Sequence, residues 1–149
     1  MTDTTPTRVK RSKKTTAKTA LTLARLREIL PDRHVDDIVD VAGIGYWATE
    51  VPREIRERIC ASYAERHVEI SYVFGEEGED IIALTRDDVR LAYGRLLDLD
   101  QAYVGRSIHG YVIDSYRHRD ADGIELAEID SDAGDVLVQV AAFDEVVFG

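Results

Sequence analysis

Val68-Glu69-Ile70-Ser71-Tyr72-Val73-Phe74-Gly75-Glu76-Glu77-Gly78-Glu79-Asp80-Ile81-Ile82-Ala83-Leu84-Thr85-Arg86-Asp87-Asp88-Val89 decides the fold class. Val68, Ile70, Tyr72 and Phe74 recur at period two with Glu69 and Ser71 between them, the pattern of a half-buried strand. Gly75-Glu76-Glu77-Gly78 predicts a turn, and Ile81-Ile82-Ala83-Leu84 a returning strand. Thr85 and Asp88 then have the spacing of a capping box, Asp standing in for the commoner Glu. Val89, Ala92, Tyr93, Leu96 and Leu97 give the following helix a buried stripe. A β-hairpin running straight into a helix is the nucleus of an α+β domain.

Outward from this unit the periodicity is helical. Leu23, Leu26 and Leu30 predict a short helix that Pro31 ends. Asp32 is placed to cap a second, with Val35, Ile38, Val39 and Ala42 on one side and Asp36, Asp37 and Asp40 largely on the other. Residues 52–65 read as a helix with Pro52 in its first turn and a solvated Arg/Glu face. Asp100 is placed to cap a helix through Val104, Ile108, Val112 and Tyr116, and residues 117–123 read as a polar loop. The last helix opens near Asp130 or Ser131 and buries Ala133, Val136, Leu137, Val140 and Ala141, and Glu145-Val146-Val147-Phe148-Gly149 reads as a short strand beside the hairpin. The expectation is a single α+β domain over residues 21–149, a β-hairpin with short edge strands packed against four to six helices.

Charge divides the chain. Residues 1–20 carry six basic side chains and one acid; removing them from the chain's 19 basic and 29 acidic residues leaves 13 against 28, a net charge of −15 for the remainder. The Thr/Lys-rich composition of residues 1–20 predicts a disordered basic tail. So acidic a body repels phosphate backbones, which argues against sequence-specific DNA reading by the folded domain. One cysteine, Cys60, excludes an internal disulfide and a Cys-based zinc site. No stretch is apolar enough for a membrane span or a signal peptide, so the chain is expected to stay where it is made. No Lys follows Lys18 and there is no Asn, as a GC-rich genome would give; a high-salt cytoplasm is the other reading.

Chemistry-bearing patterns are few. His34, His67, His109 and His118 are scattered, and none has the spacing of a helical metal pair. Gly105-Arg106-Ser107-Ile108-His109-Gly110 falls short of a nucleophile elbow, with its second glycine misplaced and no strand before it. Glu128, Asp130, Asp132 and Asp135 lack the glycine and the final acid of a calcium loop, and acids are favoured at a helix start anyway. No catalytic residue, metal site or cofactor is predicted. Gly43-Ile44-Gly45-Tyr46-Trp47 is different: it holds the only Trp, beside a Tyr and two glycines that let a partner approach the main chain. Gln139, in the last helix beside the apolar stripe, is an amide that must find partners if buried. Gly43, Gly45, Tyr46, Trp47, Asp135 and Gln139 are the candidate ligand- or partner-binding residues, with Tyr46 and Trp47 stacking on a planar group and Gln139 directing hydrogen bonds. The alternative is a tight turn whose aromatics plug the core.

Asp36-Asp37-Ile38-Val39-Asp40-Val41-Ala42-Gly43-Ile44-Gly45-Tyr46-Trp47 resembles the N-terminal motif of a widespread family of small bacteriophage proteins. The stretch Asp132-Ala133-Gly134-Asp135-Val136-Leu137-Val138-Gln139-Val140-Ala141-Ala142-Phe143-Asp144-Glu145-Val146-Val147-Phe148-Gly149 resembles its ending, where Phe-Gly-Glu precedes two apolar residues, Tyr and Gly. Asp144 stands where that ending has glycine, and Phe148 where it has Tyr. The resemblance implies a bacteriophage origin, and the GC-rich composition an actinobacterial host. It fits a non-catalytic accessory protein of the host cytoplasm that binds a host protein or sequesters a small signalling ligand, blunting host defence. Two alternatives stand beside it: a structural or assembly homo-oligomer, and a small-metabolite enzyme using His109 and carboxylates as acid–base groups.

Overall fold

A computed structural model describes residues 8–12, 19–76 and 80–149. The hairpin is β3 (Tyr72–Glu76) against β4 (Ile81–Leu84), antiparallel from Tyr72↔Leu84 to Gly75↔Ile81; the expected turn falls at residues 77–79, outside the described residues. The first strand starts four residues later than its alternation suggests. His67 takes a left-handed conformation (φ 61°) and the Val68 N–H bonds back to Tyr63 O, so the chain is still turning out of the preceding helix. Pairing begins at Ser71, whose N–H reaches Leu84 O at 2.9 Å.

Two short strands complete a four-stranded sheet in the order β1-β4-β3-β2: β1 (Val9–Arg11), parallel to β4, and β2 (Ala48–Thr49), antiparallel to β3. The strand at residues 9–11 corrects the expectation of disorder throughout residues 1–20; residues 1–7 and 13–18 lie outside the described residues. All four residues of β4 are buried, and the open edge beside them needs a backbone partner. Charge fastens that partner in place. Lys10 Nζ lies 3.1 Å from Glu76 and 2.9 Å from Asp80, while Arg11 binds Asp88 and donates to Ala83 O at 2.9 Å. Composition reports what a segment cannot bury by itself, and here the acidic body supplies the partners.

The sheet separates two cores, and the strand period decides which residue serves which. Phe74, Ile82 and Leu84 face the larger core of the helical layer; Ile81, Ala83 and Val73 face a smaller one. The larger core is roofed by α1 (Leu23–Ile29), α2 (Asp32–Val41), α4 (Arg86–Leu97), α5 (Arg106–Arg117) and α6 (Ser131–Phe143). Covering the smaller one is α3 (Arg53–Ala64), through Ile59, Cys60 and Tyr63. The α+β domain of a hairpin with edge strands is as the sequence pattern predicts, and the six α-helices among the described residues fall within the expected four to six.

The caps are where sequence and structure part. Thr85 and Asp88 form the predicted reciprocal box, and Asp130 caps α6 by accepting the Ala133 N–H at 2.8 Å. Asp32, however, is the first residue of α2 rather than its cap, Pro31 holding that place. Asp100 does not cap α5, which starts at Arg106. The Gln101 side chain competes for the intervening backbone: its Oε1 accepts from Tyr103 N and Val104 N, and its Nε2 donates to Val104 O. The chain's last residues form no strand.

One glycine brings the two halves of the sequence together. A Cβ on Gly134 would lie 2.9 Å from Ala42 Cα, so α6 crosses the end of α2 at a distance no side chain permits. No helix among the described residues is long and apolar enough to cross a membrane.

Candidate functional site

Where α2 ends, the Gly43 N–H bonds to Ser131 O at 3.0 Å, tying the chain to the first residue of α6. A turn follows, with Trp47 N and Ala48 N both bonded to Ile44 O, and it aims Tyr46 and Trp47 at α6. Asp135 and Gln139 are four residues apart on that helix and therefore share a face. The four side chains meet there. Trp47 Nε1–H donates to Asp135 Oδ1 at 2.8 Å, and the Tyr46 hydroxyl donates to Asp135 Oδ2 at 2.6 Å. Gln139 Nε2 donates to Asp135 Oδ1 at 2.9 Å and lies 3.3 Å from the Tyr46 oxygen.

The closing residues complete the assembly. Gln139 Oε1 accepts the N–H groups of Val147 and Phe148, each at 2.8 Å, and its Nε2 reaches Phe148 O at 3.2 Å. The one side-chain amide thus replaces the neighbouring strand that the β-prone ending predicts. Phe148 is laid parallel on the indole, with ring centroids 5.2 Å apart and planes 4° apart. Phe74 meets the indole edge-on at 5.5 Å, and Phe143 at 5.6 Å.

These contacts change the expected roles. Trp47 is 1% exposed and Gln139 0%, so neither has an opening toward a ligand, and the face of Trp47 is taken by Phe148. Trp47 and Gln139 both donate to Asp135 Oδ1 from inside the core, rather than serving as ligand-stacking and ligand-directing groups. Neither Gly43 nor Gly45 has positive φ, and a Cβ on Gly45 would meet nothing within 4 Å. Tyr46 is the member that faces outward, 55% exposed although its hydroxyl is held by Asp135.

Shelter of that hydroxyl, and then its hydrogen bond to the Asp135 carboxylate, push the Tyr46 pKa up to about 12 from the ordinary phenol value of 10.0. Because the folded value is the higher one, the stability that the neutral phenol contributes is complete below pH 10 and is lost as pH climbs toward 12. Ultraviolet difference titration of the protein against Tyr46→Phe is expected to show one phenolate step near pH 12; a step near 10 would mean the hydroxyl is not held.

Other candidates fall elsewhere. Among the described residues the buried Nε2 of His109 has no hydrogen-bond partner, so none of their carboxylates is positioned on that nitrogen as an acid–base pair requires. The acidic run is dispersed: Asp130 caps α6, Asp135 belongs to the network, and Glu128 lies 3.5 Å from His118 Nδ1. Among the described residues no group of three His, Cys, Asp or Glu side chains is placed to hold a metal ion. Sequence reading missed the cluster joining α2, β3 and α4. There the Tyr72 hydroxyl donates to Asp36, Arg86 forks onto the same carboxylate, and Arg90 bridges Leu30 O, Asp32 and Asp87. The Arg86 guanidinium, with help from Tyr72, holds the Asp36 carboxyl below its ordinary range. The sequence carried no signal for it, because Asp36 reads with Asp37 and Asp40 as part of the face opposite the apolar stripe.

Comparison with protein-family models, with curated proteins and with solved structures finds no match to this chain.

Proposed function

We propose that the protein is a non-catalytic bacteriophage accessory protein that acts in the host cytoplasm by binding a host protein through the Tyr46 face. The observation that carries this reading is a broad aromatic ring left 55% exposed while its hydroxyl is fixed at 2.6 Å to a nearly buried carboxylate. Such a side chain has already lost its rotamer freedom, so a partner gains its contact area at small entropic cost. Exposed Gly43 and Gly45 beside it let that partner approach the main chain. Asp132 is close enough to act on the Tyr46 phenol, and the body is strongly acidic, so the complementary surface is basic. The phage origin rests on the resemblance of the two stretches that meet here. A protein partner is favoured over a sequestered small ligand at this place because Trp47 and Gln139 are sealed.

Gly45→Arg tests the reading without disturbing the network, since the new side chain enters open space. Full-length tagged protein and the variant would be recovered from actinobacterial cells and weighed by native mass spectrometry. A stoichiometric host protein on the parent, absent from a variant with unchanged Tm, is the expected result. A partner retained by the variant, or a parent recovered alone, overturns it; a homo-oligomer dissolved by the variant supports the assembly alternative instead.

A further inference from the structure

Arg95, on the last turn of α4, is 4% exposed, yet its guanidinium is poorly used. Its one hydrogen bond among the described residues runs from Nη2 to Val140 O at 3.4 Å. Nε lies 3.3 Å from Asp144 Oδ1, an ion pair without aligned hydrogen-bond geometry, and has no hydrogen-bond partner among the described residues. A guanidinium carries five N–H donors, and leaving them unmatched in a buried place is costly. Asp144 pairs with Arg95 by charge but does not complete its hydrogen bonds: it sits in the left-handed conformation that ends α6 (φ 56°), and the same Oδ1 receives the Tyr103 hydroxyl at 3.2 Å.

Arg95 borders a cavity of ≈ 540 Å³ between the loop after α4 and the end of α6, within the range of small-molecule sites. Three further carboxylates, Asp98, Asp100 and Glu145, line it. The loop wall is braced from within, by Gln101 onto Tyr103 and Val104 and by Asp98 Oδ1 accepting the Asp100 N–H at 2.9 Å. The site therefore offers unmatched donors at one point and an excess of negative charge around it.

We propose that this cavity binds a small zwitterion of the basic amino-acid class, its carboxylate on Arg95 and its cationic nitrogens among Asp98, Asp100 and Glu145. Neither a simple anion nor a simple amine fits both halves: the first meets the acidic lining, and the second leaves the guanidinium unmatched. The cavity is distinct from the Tyr46 face, so either proposal can fail alone.

Calorimetry and amide chemical-shift mapping of the full chain with L-arginine, L-lysine, agmatine and acetate test it. The two amino acids are expected to bind with shifts confined to residues 98–104 and 144–146. Agmatine, which lacks the carboxylate, should bind at least about tenfold more weakly, or about 1.4 kcal/mol, and acetate not at all. Asp100→Asn with Glu145→Gln, both exposed, should weaken L-arginine by a similar factor without altering the fold. Arg95→Gln should remove the preference for L-arginine over agmatine. The proposal is overturned by no binding at about 10 mM ligand, well above a millimolar Kd, by agmatine matching L-arginine, or by the paired substitution leaving affinity unchanged.

Discussion

Trp47→Ala is expected to cost about 3–5 kcal/mol of folding stability, the range for emptying a large buried aromatic site. Against a typical total of roughly 5–15 kcal/mol, that can unfold the protein at moderate temperature. Three phenylalanine rings surround the indole within 5.6 Å, and it is the lone partner that the Phe148 ring stacks on in parallel. The substitution also strips Asp135 of the donor at 2.8 Å, leaving a carboxylate 9% exposed with Tyr46 and Gln139 alone. Trp47→Phe separates the two effects, because it keeps much of the volume but not the Nε1–H. It should recover more than half of the loss, the remainder measuring the hydrogen bond. Urea unfolding followed by far-ultraviolet circular dichroism is the suitable readout, since the chain has no other Trp. A loss below about 1 kcal/mol for Trp47→Ala would place the indole outside the core.

What could be read in the sequence depended on how local its cause was. The hairpin, the Thr85 box and the stripe of α4 are set by neighbours within about four residues, and each is written as a period or a spacing. The crossing of α2 and α6 is set by Gly134 fitting against Ala42, which no period records. That crossing nevertheless joins Tyr46 and Trp47 with Asp135 and Gln139, which the sequence had singled out by residue type. Their roles were harder to read. An indole and an amide are equally suited to a pocket or to a sealed hydrogen-bonded core, and burial alone decides between the two. The β1 strand at Val9–Arg11 stayed hidden for the same reason: the partners of Lys10 and Arg11, at Glu76, Asp80 and Asp88, are more than sixty residues away. Position 144 was flagged in the sequence only as a departure from glycine. The structure gives the reason glycine suits it, a left-handed helix end that Asp144 tolerates and most side chains resist.

Gln139→Leu should release the closing residues while leaving the rest of the domain folded. Leucine has nearly the volume of glutamine, so the loss is one of hydrogen bonds rather than packing. Without the amide, the N–H groups of Val147 and Phe148 and the carbonyl of Phe148 lose their partners together, and Asp135 loses a donor at 2.9 Å. Each buried group left unmatched costs about 1–3 kcal/mol, but the closing residues escape part of this by swinging into water. That movement uncovers the face of Trp47 on which Phe148 lies. The net expectation is a loss of about 2–4 kcal/mol, bounded by those opposing effects. Hydrogen exchange locates it: the amides of Val147 and Phe148 should lose protection, while those of β4 and α4 remain slow. Gln139→Glu adds a control on charge, because it keeps an acceptor for the two N–H groups but sets a second carboxylate against Asp135 and Phe148 O. That repulsion raises the pKa of the introduced acid in the folded state, so the variant's deficit should shrink as pH falls toward the ordinary carboxyl range. Exchange at Val147 and Phe148 as slow in Gln139→Leu as in the parent would mean that the closing residues are held by the aromatic stack alone.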